Sequence, residues 1–81
     1  MHMADSKEVL EQQFLEMRWR TLSLAADLDR IARANNGPHT LKEDARLQKL
    51  RRALEVLASD GIDRAERVQM IFSDMTPPPP K

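Results

Sequence analysis

The chain has 81 residues, enough for one domain at most, and no cysteine, which excludes disulfides and thiolate metal sites. Thirteen basic residues balance thirteen acidic ones, so no net field draws it to nucleic acid or to an anionic membrane. A core this small commonly relies on a staple or a partner, and with two histidines, His2 and His39, too few for zinc without carboxylates, oligomerisation is the route left.

Residues 1–4 read as a disordered N-terminus or cloning remnant, Met1-His2-Met3, with Met3 as the natural start. Asp5 and Glu8 then form a capping box, and good helix formers run without Gly or Pro to Asn35-Asn36-Gly37-Pro38. That cluster is a strong stop, because Asn or Gly takes a left-handed cap and Pro cannot continue a helix. The first predicted helix therefore covers about 6–35, roughly 45 Å at 1.5 Å per residue.

This helix is apolar on two sides. Leu10, Phe14, Met17, Thr21, Leu24, Leu28 and Ile31 form a coiled-coil-like seam, interrupted only by Thr21. Thr21 is expected to bond back to the Met17 carbonyl. Leu15, Trp19, Leu22 and Ala26 form a second stripe, roughly 160° away at about 100° per residue. Glu11 and Gln12 precede this stripe, and Asp29, Arg30 and Arg33 follow it. The seam is longer and more regular, and is expected to claim the core. The second stripe then needs a separate cover, and Trp19, beside Arg18 and Arg20, has the character of an interface anchor.

Thr40 and Glu43 form a second capping box, with Asp44 a rival cap, so a second helix is predicted over 41–59 with Leu47, Leu50, Leu54, Leu57 and Ala58 on one face. Asp63 and Glu66 open a third helix over 63–75, with Ala65, Val68, Ile71, Phe72 and Met75 on one side. Residues 76–81, with Pro77–Pro80, read as a disordered Pro-rich tail. Residues 5–75 are expected to form one all-α domain. Helix one would lie antiparallel to helix two as a helical hairpin, with the short third helix either extending that arm or crossing its end. Two hairpins would pair into a dimeric four-helix-type bundle. In architecture alone this resembles small dimeric four-helix bundles that bind RNA or regulators, and fold does not fix function.

No chemistry emerges from the polar residues. Glu16, Asp27 and Asp29 lack the Glu-x-x-His spacing of di-metal bundles, and the two aspartates point to different sides of the helix. His39 has no orienting partner nearby, Ser23, Ser59 and Ser73 have no nucleophile-elbow context, and Gly37 and Gly61 are lone glycines. No metal, no cofactor and no catalytic residue is expected. The sequence reads as a non-enzymatic, cytoplasmic interaction module whose partner is itself, through Leu15, Trp19, Leu22 and Ala26, with another helical protein as the second candidate. The alternative is a nucleic-acid-binding accessory using Arg46, Lys49 and Arg52. These cations, with Lys42 and Arg51, spread over several sides of helix two among Glu43, Asp44 and Glu55, and are expected to serve solubility.

Overall fold

The computed structural model describes residues 5–73, all-helical with four α-helices and no strand among them. The predicted tail and the first four residues lie outside this range. The chain divides into two compact units, Met1–Pro38 and His39–Lys81.

In the first unit, α1 runs unbroken over Ser6–Arg33, about 42 Å at 1.5 Å per residue. Asp5 occupies its N-cap, but the carboxylate makes no capping hydrogen bond, so the predicted box is not closed from that side. The helix stops two residues earlier than its composition suggests. Ala34 leaves the helical region at ψ 164 while its N–H still reaches the carbonyls of Arg30 and Ile31. Arg30 and Arg33 in the last turn face the negative end of the helix dipole, where cations are favoured.

The cluster read as a loop does two things at once. Asn36 takes the left-handed conformation, φ 65, and ends the helical run. Gly37 and Pro38 then open a new short helix, α2, Gly37–Glu43. Pro is tolerated there because the first residues of a helix have no carbonyl to donate to. Gly37 is buried, and a Cβ on it would lie 2.3 Å from the Ile31 carbonyl oxygen and 2.4 Å from that of Ala32. Only a residue without a side chain passes so near the end of α1.

The predicted second helix is therefore two, since Thr40 is interior to α2 and Asp44 is the cap. Asp44 breaks the helix at ψ 128, and its carboxylate accepts from the Arg46 backbone N–H at 2.8 Å, starting α3, Ala45–Ala58. The Arg46 guanidinium closes on the same carboxylate, Nε–Oδ1 3.0 Å and Nη2–Oδ2 2.9 Å.

α4 spans Arg64–Phe72 and packs against α3. The packing face of α3 follows the predicted leucine row in part. Ala53 is the buried hydrophobic side chain among the described residues, Leu47, Leu50, Leu54 and Val56 are half-buried, and Leu57 and Ala58 are exposed. A small residue at the centre lets two helices approach closely, which a row chosen for size alone does not reveal. Across the joint, Gly61 adopts φ 123 and the carbonyls of the turn that follows α3 are taken up by two arginines. Arg64 donates Nε to the Ser59 carbonyl at 2.9 Å and Nη1 to that of Gly61 at 2.8 Å. Arg67 donates to the Ser59 hydroxyl at 3.1 Å and lies 3.6 Å from the Asp63 carboxylate. Asp63 holds the N-cap position of α4 without a side-chain capping bond, so the third box is replaced by this ion pair.

Candidate interaction surface

Trp19 is 71% exposed, Leu15 72% and Leu22 54%, and Ala26 is half-buried. Because α1 has no break, these four side chains keep the helical spacing and form one continuous apolar strip. The strip has little polar competition. Glu16 pairs with Arg20 beside it at 3.6 Å, and Asp27 accepts a hydrogen bond from Arg30 at 2.5 Å, so those charges are partnered along the helix.

The other flank of α1 is not a finished core either. Leu10, Phe14 and Met17 are exposed, and Leu24, Leu28 and Ile31 are half-buried. No residue of α1 is buried. Thr21 donates its hydroxyl to the Met17 carbonyl at 2.9 Å, which satisfies it within its own turn as its position in the seam implies. Phe14, Met17, Arg18, Thr21 and Leu22 line a shallow apolar groove between the two flanks.

The three cations of the alternative reading do not converge. Arg46 is engaged by Asp44, Lys49 is half-buried, and Arg52 is exposed. Steps of three residues rotate about −60° each, so Arg46 and Arg52 stand roughly 120° apart on α3. Lys49 and Arg52, with Ala45, Gln48 and Arg51, line an open cleft on that helix. The Arg46 guanidinium beside Asp44 holds that carboxyl well below the usual carboxylate range, at about 2. His39 lies on an exposed cleft with Thr40, Glu43 and Asp44.

Ile62 was not anticipated: it stands fully exposed in the turn after Gly61. The Arg64–Arg67 clamp also escaped, although a signal existed. A cation as the first residue of α4 sits at the wrong end of that helix's dipole and at the right end of α3's.

Among the described residues, no helix is long and apolar enough to cross a membrane, and no cluster of three His, Cys, Asp or Glu could hold a metal ion. No protein-family model matches the chain, and neither does any curated protein or solved structure.

Proposed function

We propose that this chain is a small non-enzymatic helical interaction module that acts as a homodimer, with Leu15, Trp19, Leu22 and Ala26 as its contact. The observation that carries the reading is the exposure of Leu15, Trp19 and Leu22 on one line of an unbroken helix. Scattered surface apolar residues need no explanation, but a contiguous strip anchored by Trp is the signature of a binding face. In this reading α1 forms one arm of a hairpin with its Leu10–Ile31 seam turned inward, and two hairpins meet along the strip as a four-helix bundle.

Sedimentation over a concentration series, from low to high micromolar, tests it. A shift from monomer to dimer is expected. A chain that stays monomeric throughout refutes the module's self-association. The nucleic-acid alternative has less support, because Arg46 is already paired and the cations share no stripe. Salt-dependent binding to duplex or single-stranded nucleic acid, lost when Arg46, Lys49 and Arg52 are all changed to Ala, would reverse that order.

A further inference from the structure

We infer that the strip is built to receive a second copy of itself in one orientation, antiparallel, with the two-fold axis between Arg20 and Thr21. The inference rests on the dimer reading above and adds to it the geometry of the partner.

The argument begins with the ends of the strip. Extended at the same four-and-three stepping, it reads Glu8, Gln12, Leu15, Trp19, Leu22, Ala26, Asp29 and Arg33, and all eight lie within α1. The four central residues are apolar. Polar residues occupy both ends, with Glu8 at one extreme and Arg33 at the other. The seam on the opposite flank, extended the same way, begins at Lys7 and runs out to Asn35 beyond α1, so it carries no pair of opposite charges at its two ends.

In an antiparallel pair about that axis the layers are Glu8 with Arg33 of the second copy, Gln12 with Asp29, Leu15 with Ala26 and Trp19 with Leu22, each occurring twice by symmetry. Opposite charges meet at both extremes, and an amide that can donate faces a carboxylate. A large side chain faces a small one at Leu15–Ala26. In the rows beside the strip, Glu16 falls opposite Ser23 and Arg18 opposite Ala25, so no like charges face each other there. The axis lies within about one residue of the midpoint of Ser6–Arg33, so the two helices overlap almost flush, over about 39 Å.

A parallel pair reverses each advantage. Glu8 would meet Glu8, Asp29 would meet Asp29 and Arg33 would meet Arg33, and the two Trp19 side chains would compete for one layer. Like charges across an interface select against an arrangement more strongly than attractive pairs select for one. The end charges complement those of a second copy, so this chain supplies its own matching partner.

Cross-linking and charge reversal test the geometry. The chain has no native cysteine, so a single introduced thiol reports one position. A chain carrying Leu15→Cys mixed with one carrying Ala26→Cys should form a covalent dimer with a short bismaleimide, and each alone should form far less. Glu8→Arg and Arg33→Glu should each weaken the dimer about tenfold, and an equimolar mixture of the two should recover wild-type association. Recovery on mixing separates pairing from any loss at the helix ends, since both variants bring their end defect into the mixture. Stronger self-linking of the Leu15→Cys chain, absence of any Leu15–Ala26 product, or failure of the mixture to recover overturns the register while leaving a dimer in place. A monomer by sedimentation removes both the register and the reading it rests on.

Discussion

Replacing Trp19 with Ala should abolish association at concentrations where the wild-type chain is dimeric. The indole is 71% exposed in the single chain, and an aromatic side chain of this size has 150–250 Å² to bury. About 110–180 Å² is therefore open for burial in each copy, worth about 3–4 kcal/mol at 25 cal/mol per Å². Part of this is offset by fixing the side chain and by the area Ala retains, leaving about 2–3 kcal/mol per copy. Two copies enter each dimer, so the dissociation constant should rise by about 10³–10⁴-fold. The substitution does not weaken α1 itself, because Ala has the higher helix propensity. Lost association then cannot be blamed on a lost helix.

The assay carries its own control. Trp19 is the only tryptophan, so emission reports on the strip alone. In the wild type the emission maximum should move to the blue as concentration rises, in step with the sedimentation coefficient. An emission maximum that stays constant over that range, with Trp19→Ala sedimenting like the wild type, refutes the reasoning.

The remaining predictions concern the joints and the second unit. Gly37→Ala places a methyl against the Ile31 and Ala32 carbonyls and should destabilise the chain by about 2 kcal/mol or more, read as a fall in thermal midpoint by circular dichroism. Ala53→Leu overfills the α3–α4 contact and should cost about 1–3 kcal/mol by the same measurement, whereas an unchanged midpoint would show that the contact has slack. Arg64→Met keeps the aliphatic stem and removes the hydrogen bonds to the Ser59 and Gly61 carbonyls, with an expected loss of about 1–2 kcal/mol in urea unfolding. The Asp44 carboxyl is held down to about 2 by the hydrogen bonds from the Arg46 side chain, so its contribution is present above the usual Asp range and lost as pH falls from about 4 toward 2. Helicity should drop over that window in the wild type, and Asp44→Asn, which keeps an acceptor but cannot titrate, should show a smaller step.

The helices themselves are legible because apolar periodicity and Gly/Pro punctuation are local signals. Their joints are less so. Gly37-Pro38 carries one meaning as a stop and another as a start, and here it does both, after a left-handed Asn36. Asp44 wins over Thr40 as a cap because Arg46 closes on its carboxylate, an interaction that a capping rule does not weigh. The spacing of the Trp19 strip is visible in the sequence, since an unbroken helix preserves it. The α3 face is visible only in part. Burial there follows from how closely α4 comes to Ala53, and nearness is a property of two elements that no single run of residues records.

The two units divide the work of folding unequally. α3 and α4 have each other, and their joint is held by charged hydrogen bonds from Arg64 and Arg67 that form within one chain at any dilution. α1 has no buried residue, so its ordering draws little from apolar burial in the isolated chain. Whatever stabilisation the strip provides arrives only with a partner, and therefore rises with concentration. It follows that the helical signal of dilute protein should lose α1 first and keep the α3–α4 contribution. Dilution at constant temperature should consequently make the ellipticity at 222 nm less negative, levelling off once the monomer limit is reached. If ellipticity is the same at every concentration while the sedimentation coefficient changes, α1 is ordered without its partner, and assembly is a docking of finished helices instead of a condition for forming them.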